Sequence, residues 1–261
     1  MNELQAMILG MIQGLTEFLP ISSTGHLYLG RHLFGLDEAG LFLDTMLHIG
    51  TLFAVLAVYG DDAVEMLKRP FSRLMGLLLV GTIPAAGAGL LFEDFFEEIS
   101  RTGVTIGYEF LLTGAILWMA ERWKDKEGAP IENITYRDAL FIGCFQAAAI
   151  MPALSRSGLT IAASLFRGIN REASARFSFL LSLPAIGGGV MLQGAKLFSG
   201  EGREAIGLSP LLLGALFSAV FGYLAVRWMI GLLKRGSLRP FAIYVWILGL
   251  LIIGAQWFGV F

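Results

Sequence analysis

Long apolar stretches separated by short polar segments dominate the chain, and six of them are long enough to cross a bilayer as helices, which takes about 20 residues each. Hydrophobic residues make up 56% of the 261 residues and charged residues only 15%, whereas about a quarter of the residues of a soluble domain are charged. The pattern therefore predicts an integral membrane protein built from helices. The six predicted membrane-crossing helices are residues 41–60, 72–92, 105–122, 172–197, 208–232 and 239–260.

Two other apolar regions are too short to cross and are interrupted. Residues 4–19 and 137–151 each stop at a proline followed by Ser and Gly residues, and a second short apolar piece comes next, at 23–35 and 157–167. Such a broken pair of half-helices predicts a re-entrant hairpin, which enters the membrane and returns to the same side. Irregular backbone at membrane depth is tolerated only where it lines a cavity or is buried in protein.

Each half of the chain then consists of one re-entrant hairpin and three crossings. Because three is odd, the second half starts on the opposite side of the membrane from the first. The predicted fold is an all-α polytopic membrane protein with about six transmembrane helices and two re-entrant helical hairpins in an inverted-topology repeat, an architecture that places binding sites near the midplane. We predict a single membrane domain over residues 1–261, with repeat one at 1–123 and repeat two at 137–261.

The Lys and Arg residues fall unequally on the two sides that this topology defines. Four of the 19 lie on the side of the N-terminus (side X), fourteen lie on the opposite side (side Y), and Arg156 lies in the second hairpin. Because positive charge marks the cytoplasmic side, side Y is predicted to be cytoplasmic, and both termini and the opening of the first hairpin are predicted to be extracytoplasmic. The four basic residues of side X are Arg31, Arg101, Lys196 and Arg203.

Composition excludes several other classes of protein. The net charge of −2 argues against a nucleic-acid partner. The single cysteine, Cys144, rules out an intrachain disulfide and a cysteine-based metal site. The first basic residue is Arg31, so no cleaved signal peptide is expected. The acidic run from Glu93 to Glu98 is interpreted as an outer loop, and Glu109 as a solvated residue near the outer end of its helix.

Two polar loops with the same layout interrupt this apolar sequence. Gly25 comes 12 positions after Gln13, Gly158 comes 12 positions after Gln146, and the Ser-Ser-Thr of the first loop falls opposite Ser-Arg-Ser in the second. Polar and ionisable groups are costly inside a membrane, so such groups usually mark function. The two loops therefore predict one composite site assembled from both halves of the chain.

Each loop is expected to begin a helix that binds an anion. Pro20 and Pro152 stop the first half-helices, and Ser22 or Ser23 and Ser155 are natural N-caps for the second ones. A helix N-terminus offers free N–H groups and a positive dipole end, which suit phosphate. The guanidinium of an arginine matches phosphate oxygens with paired donors. The predicted phosphate-binding residues are Gln13, Ser22, Thr24, Gly25, Ser155, Ser157 and Gly158, with Arg156 as the phosphate clamp.

The first loop also carries groups that can break a phosphate bond. Ser23 can attack phosphorus if a neighbouring base, Glu17 or His26, takes its proton, and His26 could instead protonate the leaving oxygen or itself attack. Glu17 together with substrate phosphates could hold Mg²⁺. Asp44 and His48 lie four residues apart in the first crossing and form either a structural pair or part of the site.

The residues from Gln13 to Leu27 resemble the signature of the bacterial undecaprenyl-diphosphate phosphatases, the bacitracin-resistance protein family. Pro152–Gly158 is similar to the second family motif, and Phe177–Pro184 and the overall length extend the likeness over the chain. The resemblance implies a metal-dependent enzyme of the bacterial inner membrane that hydrolyses undecaprenyl diphosphate to the monophosphate and so recycles the lipid carrier of cell-wall synthesis. It also implies re-entrant hairpins, inverted repeats and an outward-facing site.

The resemblance further implies catalytic roles for Glu17, Ser23, His26 and Arg156, with serine and threonine residues around them. The expected cofactor is a divalent cation, Mg²⁺ or Ca²⁺, with Glu17 as its ligand. The expected partners are a prenyl diphosphate lipid, membrane lipid and a second copy of the chain in a homodimer.

The chain departs from the family pattern at two positions. The first family motif begins with Glu or Gln, and here it begins with Gln13, which leaves one carboxylate in this loop and weakens the case for a metal held by two glutamates. Ala153 stands where glycine is usual, which predicts that the second loop bends elsewhere. Two other functions stay open on the residues alone: a transporter that flips a lipid phosphate with the same site, and a structural membrane protein without a ligand.

Overall fold

The protein is all-helical within the residues that the computed structural model describes, which are 1–36, 41–123, 128–198 and 206–259. These ranges contain no β-strand, only an isolated bridge between Ala129 and Ile169. Two turns of 3₁₀-helix, Glu121–Trp123 and Ile131–Asn133, lie between the halves. The first half contains α1 (Glu3–Phe18), α2 (Ser23–Leu33), α3 (Leu41–Val58), α4 (Gly60–Lys68), α5 (Arg73–Leu91), α6 (Glu93–Thr102) and α7 (Ile106–Ala120). The second half contains α8 (Tyr136–Ala148), α9 (Arg156–Phe166), α10 (Arg171–Phe198), α11 (Leu208–Arg235) and α12 (Arg239–Trp257).

All ten helical segments predicted from the apolar pattern are confirmed as helices. The four half-helices are α1, α2, α8 and α9, and the six long segments are α3, α5, α7, α10, α11 and α12. Two helices, α4 and α6, were not predicted. The loop interpretation of the acidic run is wrong, because Glu93–Glu98 forms the start of α6. Its acidic and aromatic residues alternate with helical spacing, and acidic side chains stabilise the first turn of a helix.

Within the described ranges, four helices are long and apolar enough to cross a membrane: α5, α10, α11 and α12. A fifth crossing is obtained if α3 and α4 are taken as one span, although the two helices meet at 87°. The remaining long predicted segment forms α7, which has 15 residues. Several apolar helices therefore make this a multi-pass membrane protein. The charges that the sequence places at Lys124, Lys126 and Arg203 lie outside the described residues.

The first helix of each half begins in the same way. Asn2 caps α1 and Thr135 caps α8, and both form a capping box with the residue three positions later, Gln5 and Asp138. The reciprocal hydrogen bonds satisfy two otherwise free N–H groups at each helix start. Local sequence thus sets where each half-helix begins, and the loops that contain Pro20 and Pro152 follow where each ends.

The first helix of each half packs against a long helix of the other half. α1 packs along α11 and α8 along α5, while α3 meets α10 and α7 meets α12. Glycines permit the first two contacts: a Cβ at Gly10 would overlap the carbonyl oxygen of Gly214, and a Cβ at Gly143 would overlap that of Gly81. Small residues at membrane-helix interfaces allow such close approach.

The main core lies beneath the two polar loops. Phe18 of α1 and Phe179 of α10 meet edge to face at 5.7 Å, and Phe110 of α7 is fully buried beside them. Ion pairs occupy the ends of the helices: Arg171–Glu121 and Arg176–Asp62 at side Y, at 2.9 and 2.6 Å, and Lys196–Glu93 at side X, at 2.5 Å. Each of these pairs joins residues that the sequence placed on one side.

Candidate active site

Both polar loops open onto one cavity of about 220 Å³. The first loop contributes a carboxylate and three hydroxyls, and the second contributes Arg156 and Ser155. α3 adds His48, and the glycine-rich part of α10 forms an opposite wall. The lining residues are Glu17, Ser22, Ser23, Thr24, His48, Ala149, Leu154, Ser155, Arg156, Ala185, Ile186, Gly189, Val190 and Gln193.

Glu17 is the centre of the hydrogen-bond network in this cavity. Its side chain is 6% exposed. Oε2 accepts hydrogen bonds from Ser23 Oγ at 2.5 Å and from Gln13 Nε2 at 3.0 Å. Oε1 accepts a hydrogen bond from Arg156 Nη2 at 2.5 Å. The carboxylate therefore joins the two loops, which lie 139 residues apart in the sequence.

Arg156 retains an unused donor. Its Nη1 atom is buried and has no hydrogen-bond partner among the described residues. A buried donor without a partner costs free energy unless a ligand satisfies it. Because Arg156 lines the cavity, an anion in the cavity is the group that would fit this donor.

Two helix N-termini meet at the cavity. Ser22 caps α2 by accepting a hydrogen bond from the Gly25 N–H at 3.3 Å. Ser155 caps α9 by accepting one from the Gly158 N–H at 3.1 Å. The positive ends of both helices therefore face the cavity, as the sequence predicted, and favour a negatively charged ligand.

Ser22 has an unusual backbone conformation. Its φ is +71°, and among the described residues it is the only non-glycine with positive φ. A non-glycine residue in such a conformation costs free energy, and such strain clusters at functional sites. The bend at Ser22 determines where α2 starts and so places Ser23 within reach of Glu17.

The two loops hold each other in place. Ser157 Oγ donates a hydrogen bond to the carbonyl oxygen of Leu19 at 2.9 Å. A Cβ at Gly158 would lie 3.2 Å from Pro20 Cβ, and a Cβ at Gly25 would lie 3.2 Å from Ala153 Cβ and 2.6 Å from Phe110 Cζ. Gly25 is therefore required for close packing of the first loop, and Gly158 leaves little room beside Pro20; the sequence predicted both as phosphate-binding residues.

Five of the predicted site residues lie behind the cavity rather than in its wall. Gln13 donates a hydrogen bond to Glu17, and the Oε1 atom of Gln13 is buried without a partner among the described residues. Its counterpart Gln146 donates to the carbonyl oxygen of Gly81 at 3.4 Å. The five residues are Gln13, Gly25, His26, Ser157 and Gly158.

His26 has both ring nitrogens engaged away from the cavity. Nδ1 lies 2.6 Å from the Ser22 carbonyl oxygen, and Nε2 lies 2.8 Å from the Tyr244 hydroxyl. His26 therefore does not contact Ser23 or Glu17 through these atoms, although the sequence placed it beside them. Residues three apart on a helix share a face, so the spacing alone would have allowed a contact with Ser23, but the ring turns back toward Ser22 and α12.

His48 is the histidine that lines the cavity. Its Nε2 lies 3.9 Å from Glu17 Oε2, and its side chain is 27% exposed. Nδ1 lies 2.7 Å from the Asp44 carbonyl oxygen. Since that oxygen can only accept, Nδ1 carries a hydrogen and donates it, which leaves Nε2 facing the site. The Asp44 carboxylate pairs with Arg31 at 2.8 Å instead of with His48.

The expectation that Glu109 is solvated is wrong. Glu109 is 5% exposed and accepts hydrogen bonds from Thr105 Oγ1 and from the Ala153 N–H, each at 2.5 Å. It supports the loop rather than facing solvent. Ala153 does not have positive φ, which agrees with the expectation that the second loop does not bend at this alanine. A buried acid on a neighbouring helix carries no local sequence signal, since only its spatial partner explains it.

The side chains of the cavity could hold a divalent cation only together with the phosphates of a substrate. The described residues contain no group of three or more His, Cys, Asp or Glu that could hold a metal ion. Glu17 is the one carboxylate in the cavity wall, and both its oxygens already accept hydrogen bonds. Mg²⁺ is commonly held by one or two carboxylates together with substrate phosphates. A cation would therefore depend on phosphate oxygens for most of its ligands.

Known proteins resemble this chain over its whole length. It is 62% identical over 261 residues, all of both chains, to undecaprenyl-diphosphatase 4 of Bacillus thuringiensis strain Al Hakam. It is 47% identical, again over all of both chains, to undecaprenyl-diphosphatase of Carboxydothermus hydrogenoformans. It is 40% identical to the enzyme of that name from Halothermothrix orenii, over 97% of this chain and 98% of the other. The family model of the bacitracin resistance protein BacA matches residues 6–251. The chain therefore belongs to the BacA family of bacitracin resistance proteins.

Proposed function

We propose that this protein is an integral membrane phosphatase that hydrolyses undecaprenyl diphosphate to undecaprenyl phosphate and inorganic phosphate, and so recycles the lipid carrier for peptidoglycan synthesis. The names of its relatives support this substrate. The observation that carries the proposal is the hydrogen bond from Ser23 Oγ to Glu17 Oε2 at 2.5 Å, inside a cavity that also contains Arg156. It brings together a nucleophile, a base and an anion-binding group.

In the proposed reaction, Ser23 Oγ attacks the terminal phosphorus and its proton passes to Glu17. The bond from that phosphorus to the bridging oxygen breaks, and undecaprenyl phosphate leaves with the electron pair. Water then attacks the phosphoserine: its hydroxyl joins the phosphorus, its other proton returns to Ser23, and Glu17 releases to solvent the proton that it took from Ser23. Arg156 and the helix N-termini stabilise the charge on the phosphate oxygens.

A bound diphosphate is expected to change the partner of Arg156. Arg156 Nη2 donates a hydrogen bond to Glu17, while Nη1 has no partner in the described part of the chain. A phosphate in the cavity would engage the free donor and weaken the hold of Arg156 on Glu17. That release would make Glu17 a better acceptor for the proton of Ser23.

A divalent cation, Mg²⁺ or Ca²⁺, is part of the proposal, with Glu17 and substrate phosphates as its ligands. Its chemistry would be to neutralise charge on the diphosphate. Chelation with EDTA is expected to abolish phosphate release, and added Mg²⁺ or Ca²⁺ to restore it. Full activity after exhaustive chelation would contradict this part of the proposal.

We further propose the finer architecture: six crossings and two re-entrant hairpins in an inverted repeat. The exchange of partners between α1–α11 and α8–α5 supports it, as do the matching capping boxes. The bend of 87° between α3 and α4 supports a crossing by α3 followed by a helix along the surface. The apolar helices and the family support a place in the bacterial inner membrane, and the distribution of Lys and Arg supports both termini and the active site on the extracytoplasmic side. The homodimer stays a prediction, which sedimentation of the detergent-solubilised protein tests.

The alternative function, flipping of a lipid phosphate, is not favoured. Transport requires an anion-binding site, but it does not require a nucleophile that is hydrogen-bonded to a base. The contact between Ser23 and Glu17 is what hydrolysis requires.

The test is release of inorganic phosphate from undecaprenyl diphosphate and farnesyl diphosphate by the purified protein. We expect wild-type activity, and losses of about 10²-fold or more in kcat for Arg156→Ala and for Ser23→Ala and Glu17→Gln. Arg227→Ala is the matched control, because Arg227 is exposed on α11 and its side chain contacts Tyr223. A wild-type protein without phosphatase activity would refute the function, and an active Arg156→Ala variant would refute the site.

A further inference from the structure

His26 connects the most strained residue of the active-site loop to α12. Its Nδ1 lies 2.6 Å from the carbonyl oxygen of Ser22, and its Nε2 lies 2.8 Å from the hydroxyl of Tyr244. The His26 and Tyr244 rings stack at 5.7 Å with an angle of 12° between their planes. An edge-to-face contact with Phe110, at 5.5 Å and 89°, fixes the imidazole from another direction.

The partners determine which nitrogen carries the hydrogen. The Ser22 carbonyl oxygen can only accept, so Nδ1–H donates to it. Nε2 of the neutral ring then accepts a hydrogen bond from the Tyr244 hydroxyl. Both nitrogens are used in this arrangement, and neither is left for the serine or the phosphate.

Ser22 is the residue on which this contact acts. Its φ of +71° is the only positive value at a non-glycine in the described ranges, and its own hydroxyl caps α2 through the Gly25 N–H. The next residue is Ser23, which hydrogen-bonds Glu17. A strained conformation persists only when surrounding contacts hold it, and His26 supplies such a contact to the Ser22 carbonyl.

We propose that His26 and Tyr244 are positioning residues that hold the Ser22 peptide in its strained conformation and so aim Ser23 at the phosphorus. His26 is then not the nucleophile or the base of the reaction. Tyr244, a residue outside both polar loops, becomes part of the support of the site. This inference rests on the proposed function, since it assigns a role within that reaction.

Replacement of His26 by Asn separates positioning from chemistry. The Asn amide can donate to the Ser22 carbonyl as Nδ1 does, but it cannot take a proton or form a phosphohistidine. We expect His26→Ala to lower kcat by about 10²-fold, the effect of a misplaced reacting group. We expect His26→Asn to recover most of that loss, with KM for farnesyl diphosphate little changed.

Tyr244→Phe removes only the hydroxyl and tests the second contact. Loss of one hydrogen bond is expected to lower kcat about fivefold. Tyr108→Phe is the matched control, because Tyr108 is an exposed tyrosine on α7. Thermal unfolding in detergent checks that each variant is folded, and the conservative Tyr244→Phe change keeps the test open if His26→Ala does not fold.

Each outcome bears on one part of the proposal. Activity in His26→Asn with an acid-stable phosphoenzyme supports positioning by His26 and attack by Ser23. Equal inactivity of folded His26→Asn and His26→Ala, or an acid-labile phosphoenzyme, would overturn it, because His26 would then take part in the chemistry. Unchanged kcat in Tyr244→Phe would remove Tyr244 from the proposal. Inactivity of the wild-type protein would instead refute the proposed function.

Discussion

At the scale of the residue, the site depends on a few side chains whose roles are set by what they contact. Glu17 accepts hydrogen bonds from Ser23 and Arg156, one from each polar loop. His48 faces this carboxylate at 3.9 Å, whereas His26 faces Ser22 and Tyr244. The two histidines thus have different partners because they point in different directions.

Gly25→Ala is expected to destabilise the protein. The added Cβ would lie 2.6 Å from Phe110 Cζ, a buried ring that has little room to move. Overpacking of this kind costs about 1–3 kcal/mol, and it would also shift α2 and lower activity. Thermal unfolding in detergent measures the effect.

Gly187→Ala is the matched control for this change. Gly187 lies in α10 with nothing within 4 Å of the added Cβ. The Gly187→Ala variant is expected to be as stable as the wild-type protein or more stable, since alanine is more favourable than glycine within a helix by about 1 kcal/mol. Equal losses in the two variants would contradict the packing role of Gly25.

Glu121 is expected to make stability depend on pH. It lies in the 3₁₀ turn after α7, and burial opposes its ionisation. The hydrogen bond from the Leu238 N–H and the charge of Arg171 outweigh burial and hold the pKa of this carboxyl below its usual value of 4.5. A lowered pKa in the folded state means stability that is present above pH 4.5 and is lost as the pH falls through the folded-state pKa.

Glu121→Gln tests that dependence. Removal of one partner from a buried pair costs about 3 kcal/mol, so the variant should unfold at a lower temperature at pH 7. The gap between wild type and variant should narrow as the pH drops below 4.5. A gap of constant size from pH 7 to pH 3 would show that the charge of Glu121 does not contribute.

At the scale of the element, short helices meeting at broken turns make the site. α1 and α8 bring the chain to Pro20 and Pro152, and α2 and α9 start again at serine caps. The longer helices hold these half-helices from outside through glycine contacts. Placement of the loops therefore depends on how closely α1 approaches α11 and α8 approaches α5.

Gly143→Ala is expected to move α8 and with it the second loop. The new Cβ would overlap the backbone carbonyl of Gly81, which cannot rotate away as a side chain could. We expect a loss of stability of about 1–3 kcal/mol and reduced phosphate release. Gly231→Ala on α11, with nothing within 4 Å, serves as control. Wild-type stability in Gly143→Ala would mean that α5 and α8 can separate freely.

At the scale of the whole molecule, the two halves supply complementary parts of one site. The first half contributes Glu17 and Ser23, and the second contributes Arg156 and Ser155. The Ser157 contact with Leu19 joins the loops directly. A site built across two distant segments forms only when both halves have packed.

Cysteine labelling tests the proposed orientation. In a Cys144→Ser background, Thr102→Cys and Ser209→Cys place a thiol on side X, and Lys68→Cys places one on side Y; all three positions are exposed. A membrane-impermeant maleimide added to intact cells is expected to label the first two. Lys68→Cys should react only after the membrane is opened, and the reverse pattern would invert the topology.

Features that depend on neighbouring residues could be predicted from the sequence. The apolar runs predicted ten helices, and the prolines and serine caps predicted where the half-helices break. The matched polar loops predicted a composite site, because polar groups are energetically costly inside a membrane and usually mark function. The motifs of these loops also indicated the family, because a family signature consists of residues close together in the chain.

Features that depend on contacts between distant segments became clear only from the tertiary structure. It turned His26 toward Tyr244, placed His48 in the cavity and buried Glu109 beneath Ala153. Helical periodicity tells which residues share a face, but the packing of other helices determines what that face meets. The direction of a side chain toward a partner 218 residues away, as for His26 and Tyr244, has no local signal in the sequence.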